Sequence, residues 1–117
     1  MKKRILVAST GASGQPLLIK CLEIIREQPE FESWLIMSDG AKLTLAQETD
    51  IPLAEAEAMA DHVLTPDEIG AAPASGSFKM EGMLIVPCSM KTAAGIAAGY
   101  AGNLILRAAD VTIKEQR

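Results

Sequence analysis

Along the chain, the spacing of apolar and polar positions changes several times. Arg4 to Ser9 is a short apolar run of β-formers, which predicts a strand buried on both faces. Thr10-Gly11-Ala12-Ser13-Gly14 breaks it. Leu17, Leu18, Cys21, Leu22 and Ile25 then recur at spacings of three and four, with Lys20, Glu23 and Arg26 outside, so a helix with one apolar stripe is expected. Pro16 suits its first turn, where the missing N–H costs nothing. Trp34 to Met37 predicts a second strand, Ser38-Asp39-Gly40 a turn, and Ala41–Gln47 a helix. Pro52 opens a further helix through Met59, and His62–Leu64 reads as a short strand. Residues 66–81, with Pro66, Gly70, Pro73 and Gly76, predict a loop. Met83 to Val86 is the next buried strand, stopped by Pro87, and helices follow over Met90–Tyr100 and Asn103–Glu115. Strands and helices in this alternation imply an α/β domain with a parallel sheet and right-handed crossovers.

Length and composition narrow the picture. The 117 residues suit a single domain over 1–117, with no linker or repeat to divide it. Only Phe31, Trp34, Phe78 and Tyr100 are aromatic, while alanine occurs eighteen times. A core of Leu, Ile, Val, Met and Ala buries little area per residue, which argues against a self-sufficient monomer. Fifteen acids against eleven bases give a net charge of -4, and no basic block reverses it locally, so nucleic acid is not expected as a partner. The apolar stretch after Lys2-Lys3-Arg4 is too short for a signal peptide, and no run approaches the ~20 residues of a membrane helix. Cys21 and Cys88 make neither a disulfide framework nor a zinc set, so a cytoplasmic chain with reduced thiols is expected.

In parallel sheets ligands bind beyond the carboxyl ends of the strands. Three segments fall there. Gly11-Ala12-Ser13-Gly14 allows close backbone approach and offers helix N–H groups to an anion, but lacks the glycine spacing of a dinucleotide fingerprint and the Gly-Lys-Ser/Thr of a P-loop. Ser13 reads equally as a helix N-cap. In Pro87-Cys88-Ser89-Met90-Lys91-Thr92, Ser89 can cap a helix and Thr92 can help grip a phosphate, while Cys88 reads as a small buried hydrophobe rather than a nucleophile. Ala74-Ser75-Gly76-Ser77 is either a ligand cover or an ordinary turn. Arg107, Asp110, Lys114 and Arg117 share one helix face, read as a solvated face with an Asp110–Lys114 ion pair or as a phosphate site. Glu48 is either a surface acid or a helix-end acid turned inward, and His62 has no second metal ligand at useful spacing.

Taken in order, these segments resemble the flavin prenyltransferases, also named phenylacrylic or hydroxyarylic acid decarboxylase accessory subunits. The likeness runs from Thr10-Gly11-Ala12-Ser13-Gly14 through Met37-Ser38-Asp39-Gly40-Ala41, Glu48-Thr49-Asp50 and Ser75-Gly76-Ser77-Phe78. It continues through Pro87-Cys88-Ser89-Met90-Lys91-Thr92 to Arg107-Ala108-Ala109-Asp110-Val111 and Lys114-Glu115. It implies a Rossmann-like, flavodoxin-related, three-layer αβα domain in a homo-oligomer, commonly a dodecamer, with FMN between subunits. The implied reaction moves a dimethylallyl group from dimethylallyl phosphate to reduced FMN, giving the cofactor of a partner decarboxylase for aromatic or unsaturated acids.

By matching motif, the likeness places Gly11, Ala12, Ser13, Ser38, Cys88, Ser89, Met90 and Lys91 against FMN. Ser13, Glu48, Ser75, Arg107 and Lys114 fall around the prenyl phosphate and the reacting flavin edge, and no metal is implied. Two departures stand out. Gln15-Pro16 replaces the small residue and flexible position usual after Gly14, and the chain is expected to be roughly three fifths of such a domain, its C-terminal part missing. Two alternatives remain open: a flavin-dependent cysteine decarboxylase, disfavoured by Gly76-Ser77-Phe78 and revived if His62 faced the flavin, or an FMN-binding module without catalysis.

Overall fold

The computed structural model describes residues 2–117. Strands β1 (Lys3–Ser9), β2 (Phe31–Met37), β3 (His62–Leu64) and β4 (Gly82–Ile85) form one parallel sheet in the order β3-β2-β1-β4. The helices are α1 (Gln15–Arg26), α2 (Asp39–Glu48), α3 (Leu53–Ala58), α4 (Met90–Ala97) and α5 (Leu104–Lys114). Alternation along the central strands creates the layers. Val7, Leu35 and Met37 share a core with Leu18 and Leu22 of α1 and Leu45 of α2. Leu6, Ala8 and Ile36 share the other core with Leu104, Ile105 and Ala108 of α5. Because helices cover both faces, the central strands read as continuous apolar runs. This is the expected three-layer α/β, flavodoxin-like arrangement.

The element order matches the sequence reading, and the differences have local causes. β2 starts at Phe31, before its apolar run, because Ser33 is buried and paired: its N–H donates to Asp61 Oδ2 at 2.8 Å and its hydroxyl accepts from the Asp61 N–H at 3.2 Å. The stripe of α1 is rotated from the one expected. Gln15, Leu18, Ile19, Leu22 and Ile25 face inward, leaving Leu17 62% exposed and Cys21 half-buried. α4 ends at Ala97, short of Tyr100, and Gly99 then takes the left-handed conformation (φ 73°) that favours glycine after a helix. Residues 66–81 hold only one short 3-10 turn, Ala72–Ala74. No Asp110–Lys114 ion pair forms among the described residues, as both side chains stay in solvent.

Candidate cofactor cleft

β1, β2 and β3 follow one another toward one edge of the sheet, and β4 then pairs on the other side of β1. Strand order therefore reverses between β1 and β4, the place where open α/β sheets form a ligand crevice. Three turns meet there, and hydrogen bonds tie them together. The Thr10 N–H and hydroxyl both donate to the Pro87 carbonyl at 3.1 Å, and the Thr10 hydroxyl accepts from the Ser89 N–H at 2.6 Å. The Ser38 N–H donates to the Ser9 carbonyl at 3.0 Å, which joins the turn after β2 to the turn after β1. Gly11 and Gly40 touch backbone to backbone: a Cβ on Gly11 would lie 3.1 Å from the Gly40 Cα.

The resulting cleft has a volume of about 620 Å³, within the range of roughly 300–1,000 Å³ found for small-molecule and cofactor sites. Two helices start at its wall. Ser38 caps α2 by accepting from the Ala41 N–H at 3.1 Å, and Ser89 caps α4 by accepting from the Thr92 N–H at 3.2 Å. Lys91 and Thr92 add an ammonium and a hydroxyl, while Ile105 and Leu106 supply an apolar wall. Helix N-termini, hydroxyls and a cation beside aliphatic surface suit a ligand with an anionic tail and a flat apolar body. FMN has that chemistry, and the cleft fits it.

Of the residues expected against the cofactor, Gly11, Ser38, Ser89 and Lys91 line the cleft. Ala12, Ser13, Cys88 and Met90 sit in the same two turns without lining it, and Met90 is 83% exposed. The N-terminus of α1 is not available to an anion, contrary to the sequence reading, because Glu48 already occupies it. Glu48 Oε1 accepts from the Gly14 N–H at 3.0 Å and the Gln15 N–H at 2.9 Å. The Gln15 N–H holds the carboxyl below the usual glutamate range; some loss of hydration opposes this, and the Gly14 N–H and Ser13 hydroxyl add to it. Glu48 is thus an exposed acid with a defined job at α1, and it stands beside Ser13. Ser13 is not the helix cap: Gly14 is, at φ 116°, with no side-chain bond.

The remaining residues lie elsewhere. Arg107 lines a second, smaller cavity of about 150 Å³ with Ala74, Ala101, Asp110 and Val111. Ser75 belongs to the adjoining loop, where its hydroxyl pairs with that of Ser77 at 2.9 Å, and Lys114 ends α5 in solvent. Arg117 pins this loop by donating from Nη2 to the Gly76 carbonyl at 2.8 Å and from Nη1 to the Phe78 carbonyl at 3.4 Å. Ala74 of this loop lines the second cavity, and no residue of 74–77 lines the cleft. His62 stacks on Trp34 at 4.0 Å on the edge strand and lines neither cavity. Sequence reasoning missed Thr10, Gln15, Tyr100 and Asn103. Thr10 was detectable as the hydroxyl closing a buried strand; Gln15 and Tyr100 carry no local signal.

A family model described as Flavoprotein matches residues 1–117. The chain belongs to the flavoprotein family. Within it, the flavin prenyltransferase LpdB of Lactiplantibacillus plantarum is 55% identical over 115 residues, 98% of this chain and 62% of that protein. A crystal structure of AnUbiX in complex with FMN and dimethylallyl pyrophosphate superposes with a TM-score of 0.97 at 44% identity, covering all of this chain and 62% of the other. A dodecameric FMN-dependent UbiX-like decarboxylase from Escherichia coli O157:H7 superposes with a TM-score of 0.95 at 46% identity, over 97% of this chain and 62% of the other. This flavoprotein chain thus spans about three fifths of the length of the relatives it matches.

Proposed function

We propose that this chain forms the FMN-binding part of a flavin prenyltransferase, which moves a dimethylallyl group from dimethylallyl phosphate to reduced FMN for use by a partner acid decarboxylase. The observation that carries the reading is the cleft at the β1/β4 reversal, where Gly11, Ser38, Ser89 and Lys91 come together from three separate turns. When bound, reduced FMN supplies the nucleophile that takes up the dimethylallyl group. The chain's own residues do the rest. Ser38, Ser89 and Thr92 offer hydroxyls beside two helix N-termini, and Lys91 offsets negative charge at the same wall. Glu48, held ionised by α1, is a hydrogen-bond or proton acceptor rather than an acid, and Ser13 is the hydroxyl beside it. Arg107 at the second cavity and Lys114 in solvent at the end of α5 are cations outside the cleft, and the prenyl-phosphate role that the family likeness gives them requires the phosphate to lie on that side. Subunit association brings further surface to the cleft, in keeping with exposed Leu17, Leu43 and Met90.

The test is anaerobic incubation of the chain with FMN, dithionite and dimethylallyl phosphate, followed by ultrafiltration and mass spectrometry of the retained flavin. A flavin enlarged by the dimethylallyl unit is the expected product. Retained but unmodified FMN identifies a binding module without catalysis; loss of all flavin overturns both. The cysteine decarboxylase alternative, already disfavoured by Gly76-Ser77-Phe78, is not revived, since His62 lies on the sheet edge against Trp34 and Glu32.

A further inference from the structure

Four polar residues are buried among the described residues, and three of them, Ser9, Thr10 and Gln15, sit together behind the turn after β1. Gln15 is the centre of the group. Its side chain is fully buried at the first turn of α1 yet turns back under the loop rather than into the apolar core. Its Oε1 accepts from the Ser9 hydroxyl at 3.0 Å, and its Nε2 donates to the Thr10 carbonyl at 3.0 Å and the Ala12 carbonyl at 3.4 Å. The Thr10 carbonyl also accepts from the Ala12 N–H at 2.8 Å. The carbonyls of Thr10 and Ala12 are thereby held on the inner side of the turn. Thr10, whose carbonyl is gripped, is the residue whose hydroxyl joins Pro87 and Ser89 at the back of the cleft.

We propose that Gln15 is a positioning residue for the cofactor cleft: its amide fixes Thr10–Ala12 so that the loop turns its carbonyls away from the bound flavin and keeps Thr10 aimed at the turn after β4. An electron-rich ligand beside outward-facing carbonyls would be repelled, and a mobile loop would have to be ordered at the cost of binding affinity. A small residue at this position leaves the loop without that brace. The assignment rests on the FMN reading for its consequence, but the brace itself exists without ligand.

The experiment separates the two. Gln15→Met keeps the length and removes all three bonds; Gln15→Glu keeps the acceptor for Ser9 and replaces the donor with an oxygen facing two carbonyls. Backbone ¹⁵N order parameters are measured for Gly11–Ser13 in the ligand-free chain, and FMN affinity by fluorescence quenching. In the wild type the loop is expected near the rigid value of about 0.85; in both variants it falls below about 0.6 while the body of α1 stays rigid. FMN affinity falls by about tenfold, the effect of one buried polar group left unpaired. If Gln15→Met fails to fold, Gln15→Glu decides. A folded variant with an unchanged loop and unchanged FMN affinity overturns the assignment. Rigid wild-type and loosened variant loops in a chain that never binds FMN sustain the brace and sink the FMN reading instead.

Discussion

Glu48 meets a turn that a linear reading keeps far from it. Its carboxylate closes the N-terminus of α1 and stands next to Ser13. Because its folded pKa lies below the ordinary glutamate value, the stabilisation is complete above the usual carboxylate range and is lost as the pH falls through the lowered value. Thermal melts of wild type and Glu48→Gln between neutral pH and about pH 3 should therefore show a Tm difference that shrinks on acidification. A difference that stays constant would mean the carboxylate contributes nothing through its charge. Ser13 makes the opposite case. It does not cap α1, so Ser13→Ala should change stability by no more than about 0.5 kcal/mol while slowing prenyl transfer at least about tenfold. Parallel losses in melting and turnover would make Ser13 structural.

The meeting of turns depends on paired glycines and paired caps. With a Cβ, Gly11 would press on the Gly40 backbone at 3.1 Å, and neither segment can yield without moving a turn of the cleft. Gly11→Ala should cost about 1–3 kcal/mol, as overpacking does, and weaken FMN binding with it. Gly70, with no atom within 4 Å of an added Cβ, is the control and should lose neither. Ser89→Ala removes the cap of α4 and should cost about 1 kcal/mol, read by chemical denaturation, together with a lower FMN affinity. Elements of this kind are legible locally: Ser38, Ser89 and Asn103 each stand just before a helix and each accepts from an N–H three residues on. The inward face of α1 was less legible, since Leu17 and Ile19 are equally apolar and only the position of the helix on the sheet selects Ile19.

For the molecule as a whole, we predict association from the thin, alanine-rich core and the exposed Leu17, Leu43 and Met90, at 62%, 67% and 83%. Light scattering on the FMN-loaded chain should give a multiple of 12.4 kDa, and Leu43→Lys should reduce the mass while leaving the circular dichroism unchanged. A wild-type monomer that retains FMN would remove assembly from the reading. What residue order settled was everything carried by near neighbours: apolar runs that must be covered on both faces, their alternation with helices, and glycine- and hydroxyl-rich turns at strand exits. Those preferences act over a few residues and need no partner. Contacts between distant segments settled the rest. Glu48 reaches across 34 positions to Gly14, Gln15 folds under the loop it follows, and Arg117 holds the carbonyls of Gly76 and Phe78. None of these leaves a local pattern, because a hydrogen bond formed on closing the sheet depends on where two segments end up, and that place exists only once both cores have packed.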